Sequence, residues 1–137
     1  MIEKYKKEVE RNKWKIVYTW SFMMTLTTID LILTHIILSY PNTYEQTTWA
    51  SWIFTQFGNF GYFIAFSING IAYAFALIGT VCLAEYMFRN IEDEEVKIKK
   101  KDKGLNIFFI FLIIGFSITS VLNFINSITL LMSLGTA

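Results

Sequence analysis

Between Lys15 and Arg89, and again beyond Lys103, the chain carries no lysine or arginine. All twelve basic residues fall in two short stretches: Lys4, Lys6, Lys7, Arg11, Lys13 and Lys15, then Arg89, Lys97, Lys99, Lys100, Lys101 and Lys103. The charge-poor intervals hold three apolar runs, at about 16–40, 62–88 and 105–134. At about 1.5 Å rise per residue each run exceeds a hydrocarbon layer of about 30 Å, so each can cross a bilayer as a helix with some tilt. A hydrophobic content of 54% and an aromatic content of 18% over 137 residues agree with a membrane class rather than a water-soluble fold. The expectation is an all-α integral membrane protein, a three-helix bundle forming one transmembrane domain over 1–137.

Basic residues favour the cytoplasmic side of short loops. Two flanking segments rich in lysine and an outer loop without any predict a cytoplasmic N-terminus and second loop and an extracellular C-terminus, in the cell membrane. The first run follows a polar segment of about fifteen residues, is longer than a signal-peptide core and lacks a small-x-small cleavage site, so it reads as a retained anchor.

Ile2, Tyr5 and Val9 sit at helical spacing with Glu3 four residues before Lys7, which predicts a cytoplasmic helix running straight into the first span. Pro41 ends that span. Beyond it come Tyr44, Trp49, Trp52, Phe54, Phe57, Phe60 and Tyr62, with Glu45 the lone charge. Amphipathic rings favour the headgroup region, which predicts a short interfacial helix over about Tyr44 to Gln56 and a turn at Gly58-Asn59-Phe60-Gly61. In the second loop Glu92 to Glu95 precede the lysines. Asp93 with Lys97 and Glu95 with Lys99 are i,i+4 pairs in the favourable order, so this loop is expected to extend the second span.

Function is sought among the polar groups that hydrocarbon should exclude. Asp30 lies about ten residues, or roughly 15 Å, inward from Tyr40. Asn69, Asn123 and Asn126 fall at about the same depth when counted from Tyr62 and Leu134. Thr34 shares a helical face with Asp30, and Asn123 and Asn126 share one on the third span. These faces are expected to converge, with Asp30 accepting hydrogen bonds from Asn123 or Asn126 and from Asn69. Interhelical polar bonds, an ion- or proton-handling site, and contact with another subunit are the three readings of this layer.

His35 is the one histidine, about 140° round the helix from Asp30, and with Glu45 it is a candidate ligand for an extracellular metal shared with a neighbouring chain. Glu85 and Arg89 are expected to pair at the inner interface. Along the second span Ala72, Ala76, Thr80 and Ala84 repeat every four residues, and Gly70 with Ala74 forms a second small-x-x-x-small pair, a pattern that lets helix backbones approach closely. The lone Cys82 excludes an intrachain disulfide and reads as a packing residue.

Asp30-x-x-x-Thr34, a Glu and a Pro-Asn element beyond the first span, and Asn123 in the last span resemble a family of small uncharacterised prokaryotic three-span membrane proteins, known as a domain of unknown function. That family carries Glu-x-Asn-Pro in its loop, whereas this chain reads Pro41-Asn42-Thr43-Tyr44-Glu45, the reverse order. The resemblance covers the spans in outline, implies the three-span architecture, directs attention to Asp30 and Asn123, and implies no activity.

No phosphate-binding glycine loop, H-E-x-x-H, paired-cysteine motif or G-x-S-x-G occurs, so no catalytic activity of its own and no cofactor are expected. The leading expectation is a non-catalytic accessory or structural subunit of a larger membrane complex, for instance an oxidoreductase or transport assembly. Its partners would be the bilayer and other membrane subunits or further copies of itself, with no nucleic acid. The rival is a small homo-oligomeric transporter that handles ions or protons through Asp30.

Overall fold

Long apolar runs in which every backbone group can bond within its own segment form helices, and the computed structural model, which describes residues 2–38, 53 and 56–136, is all-helical, with turns between the helices and no strand among the described residues. Four helices follow one another: α1 (Ile2–Arg11), α2 (Lys13–Leu38), α3 (Phe60–Met87) and α4 (Glu94–Thr136). Three of them, over Lys13–Ile37, Phe60–Met87 and Glu94–Ser133, are long and apolar enough to cross a membrane. The interfacial helix expected over Tyr44 to Gln56 falls almost wholly outside the described residues, as does Glu45.

The entry to α3 follows the expected turn. Gly58 has φ +60°, a left-handed conformation that glycine adopts without the Cβ clash other residues meet. The Gly61 amide then donates to the Gly58 carbonyl at 2.9 Å, and that of Tyr62 to Asn59 at 3.3 Å.

Two features differ from the sequence expectation. The acidic and basic block extends α4 backwards rather than α3 forwards: α3 stops at Met87, and α4 starts at Glu94 and runs 43 residues, about 64 Å at the ordinary rise. The Asp93 carboxylate decides this by accepting from the Glu95 amide at 3.0 Å and the Val96 amide at 3.4 Å, an N-cap that satisfies donors no preceding turn can reach. The first helix also does not run unbroken into the span. Asn12 separates α1 from α2 and is buried. Its side-chain Nδ2 donates to the Glu8 carbonyl at 2.9 Å, beside the Asn12 backbone amide that donates to the same oxygen at 3.1 Å.

The chain forms two compact units. In the first, Met1–Met23 with Ala72–Gly115, α2, α3 and α4 each bury one stripe of helical spacing, while α1 buries none of its residues. The buried residues are Ile16, Thr19 and Met23 on α2 with Asn12 just before it, Leu77, Val81 and Glu85 on α3, and Lys97, Lys101, Leu105 and Phe109 on α4. Each α3 and α4 stripe residue therefore sits four positions from the last, and at one end the stripes change from apolar to charged. In the second unit, Met24–Ile71 with Phe116–Ala137, Met24, Ile53 and Ala65 are the buried apolar side chains among the described residues. There the His35 ring meets Tyr62 edge-on at 5.0 Å between centroids.

Several hydroxyls within the apolar helices are satisfied locally. Thr28, Thr34, Ser67, Thr80 and Thr129 each donate to the carbonyl four residues earlier, at 2.8 to 3.0 Å. Such bonds let a hydroxyl enter hydrocarbon without a partner helix.

Candidate functional site

The charged end of the first unit holds its most elaborate chemistry. Glu85 extends the Leu77–Val81 stripe by one turn and is 4% exposed, so its carboxylate needs cations from elsewhere in the fold. Lys97 Nζ donates to it at 3.0 Å and Lys101 Nζ at 2.5 Å. Lys101 also meets Glu8 of α1 at 2.9 Å, Glu8 accepts from Arg11 at 2.8 Å, and Arg11 reaches Asp102 at 2.8 Å. The result is an alternating chain, Lys97–Glu85–Lys101–Glu8–Arg11–Asp102, of three cations and three carboxylates.

Charge-assisted bonds of this kind are stronger than neutral ones, and alternation gives the buried Glu85 and the half-buried Glu8 a cation on each side. Burial raises the Glu8 carboxyl, but the hydrogen bonds from Arg11 and Lys101, with their charges, outweigh it and hold the group below its ordinary value. The Glu8 bond in turn raises the Arg11 guanidinium, against the opposing effect of its own burial. Among the described residues no buried side-chain nitrogen or oxygen lacks a hydrogen-bond partner. The chain of charges has no poised nucleophile and works as a clamp that fastens α1 to α3 and α4.

This corrects the local pairing read from the sequence. Glu85 pairs with Lys97 and Lys101, twelve and sixteen residues away, and not with Arg89. Arg89 instead lies over the Tyr86 ring at 3.8 Å and donates to the Tyr86 carbonyl at 3.3 Å. Asp93 caps α4 while Lys97 turns to Glu85. The two basic segments, far apart in sequence, are tied by the Arg11–Asp102 and Glu8–Lys101 bonds and so lie at one end of the unit. Glu8, Arg11, Asn12 and Asp102 were not singled out by sequence. The signal available was the stripe Lys97, Lys101, Leu105 and Phe109, which carries an apolar packing face on into lysines.

The residues of the expected intramembrane layer, Asp30, Thr34, Asn69, Asn123 and Asn126, all belong to the second unit. Asp30, Asn123 and Asn126 are exposed, while Asn69 and Thr34 are half-buried, and the Thr34 hydroxyl donates to the Asp30 backbone carbonyl at 2.9 Å. On α3, Gly70 is buried and Ala74, Thr80 and Ala84 are half-buried, whereas Ala72 and Ala76 are exposed. His35 is exposed with its ring against Tyr62. Among the described residues no group of three or more His, Cys, Asp or Glu side chains is arranged to hold a metal ion.

No protein family, curated protein or solved structure matches the chain.

Proposed function

We propose that this chain is a multi-pass membrane protein with its N-terminus in the cytoplasm and its C-terminus outside, acting as a non-catalytic subunit that packs against other membrane helices. The observation that carries the reading is the state of α4. The most apolar stretch of its span is only 11% buried, yet the helix presents Asn123 and Asn126 on its exposed surface. A primary amide facing hydrocarbon loses its water partners, and a neighbouring helix that supplies hydrogen bonds recovers about 0.6 to 2 kcal/mol for each. The exposed Ala72 and Ala76 on α3 offer a second surface where a backbone can approach closely. The basic segments gathered at one end of the first unit support the cytoplasmic assignment, because one topology then puts both on the same side.

The test is purification in a mild uncharged detergent followed by mass measurement and identification of whatever accompanies the chain. Wild type is expected to run with other membrane proteins, well above 16.0 kDa, and Asn123→Leu/Asn126→Leu to lose them while keeping its helical content. A wild-type protein that runs as a 16.0 kDa monomer removes the proposal.

A second reading has its own support in the exposed Asp30 on α2. An ionisable group at that depth is costly and marks ion pathways in membrane helices. A homo-oligomer of this chain alone, with cation flux abolished by Asp30→Asn and assembly unaffected, would favour the transporter over the subunit.

A further inference from the structure

The charged end of the first unit encloses a cleft of about 560 Å³, lined by five cations and four carboxylates. Three of the cations, Arg11, Lys97 and Lys101, are committed to the alternating chain, and Glu8 and Glu85 answer them. Glu10 faces Lys13 at 3.7 Å. Two lining cations, Lys4 and Lys7, have no carboxylate within ion-pair distance among the described residues, and Glu94 is the one lining acid in the same position. Lys4 and Lys7 stand three residues apart on α1, so their stems leave one face about 5 to 6 Å from each other. From stems that close together, two flexible ammonium groups can reach a single phosphate, and the clamp holds the helix that carries them in place.

The position of the cleft selects the source of the phosphate. Its floor includes Glu85, two residues before α3 ends, and its wall includes Arg11, two residues before α2 begins, so it opens where the apolar segments give way to charge. At that end Trp14 and Tyr18 are 63% and 70% exposed, their rings 6.1 Å apart, with Lys13 over the indole at 5.4 Å. Amphipathic rings beside lysines characterise the headgroup level of a bilayer. We propose that this cleft binds the phosphate of an acidic phospholipid between Lys4 and Lys7, the lipid's chains lying along the exposed apolar helix surface.

The inference rests on the membrane reading, whose own failure would show as extraction of the chain from membranes by alkaline carbonate. The test is native mass spectrometry of the full chain titrated with phosphatidylglycerol or phosphatidylcholine. Phosphatidylglycerol is expected to bind at least tenfold more tightly, weakening about fivefold in Lys4→Gln and about twenty-five-fold in Lys4→Gln/Lys7→Gln. Lys99→Gln/Lys100→Gln, which removes exposed charge outside the cleft, is expected to stay within twofold of wild type. Far-UV circular dichroism checks that the variants keep their helices. Equal affinity for the two lipids overturns the proposal, as does an equal loss in the Lys99/Lys100 variant, which would reduce the effect to diffuse charge. Displacement of the lipid by excess inorganic phosphate would overturn the lipid assignment.

Discussion

Replacing Glu85 by methionine is the sharpest perturbation of the charge clamp. Lys97 is bonded to Glu85 at 3.0 Å, its side chain is 3% exposed, and Glu85 is its sole ion-pair partner among the described residues. Lys101 differs, because it keeps Glu8 at 2.9 Å when Glu85 is lost. The substitution therefore strands one buried ammonium rather than two. Breaking a buried pair in this way costs about 3 to 5 kcal/mol, mostly as the penalty of an unanswered buried charge. Glu85→Met/Lys97→Met removes both members and fills their space with apolar chains of similar length, which is close to neutral in comparable cases. The two variants therefore separate the burial of charge from the worth of the pair. Reversible unfolding in mixed detergent micelles, followed by far-UV circular dichroism, measures both, and Lys97→Met completes the double-mutant cycle. A single-variant loss below about 1 kcal/mol would refute the reasoning, since exposed pairs behave that way. So would a double variant no more stable than Glu85→Met.

Acid should loosen α1. Glu8 titrates below its ordinary value of 4.5 in the folded chain, so its contribution is complete above that value and is lost as pH falls through the depressed folded value. Hydrogen exchange is expected to show protection of Ile2–Arg11 declining in that acid range in wild type, and a Glu8→Gln variant with low protection already at neutral pH. Asp93→Ala should cost about 1 kcal/mol and fray the start of α4, with Asp93→Asn restoring most of it, as read from amide protection at Glu95 and Val96. Gly58→Ala should cost about 1 to 2 kcal/mol through backbone conformation alone, because a Cβ there meets nothing within 4 Å, and Gly58→Asn should cost less in the same unfolding assay.

The three long apolar helices were legible because crossing hydrocarbon demands a length and a composition, and three runs of the chain meet both. The turn at Gly58 was legible because few residues adopt a left-handed backbone. The charge clamp was not, since pairing rules read from sequence reach only to the next helical turn. Glu85 looked paired with Arg89 when its partners lie across a reversal of the chain. Which helix the second loop extends was legible in principle. An acidic block followed by a basic one is the order a helix N-terminus favours, and Asp93 stands at the capping position. The count of i,i+4 pairs obscured this, because such pairs stabilise either helix equally. In the expected polar layer, a residue count gives a position along each helix, but exposure depends on how helices turn about their axes, which a count does not contain.

Both basic segments are expected to face the cytoplasm while the loop between α2 and α3 faces outward. Single cysteines introduced as Lys6→Cys, Lys99→Cys and Glu45→Cys on a Cys82→Ala background, labelled with a membrane-impermeant maleimide, test this directly. Intact cells should label Glu45→Cys alone, and lysis should make Lys6→Cys and Lys99→Cys reactive together. Labelling of Lys6→Cys and Lys99→Cys from opposite sides, or of Glu45→Cys from the same side as either, would contradict it.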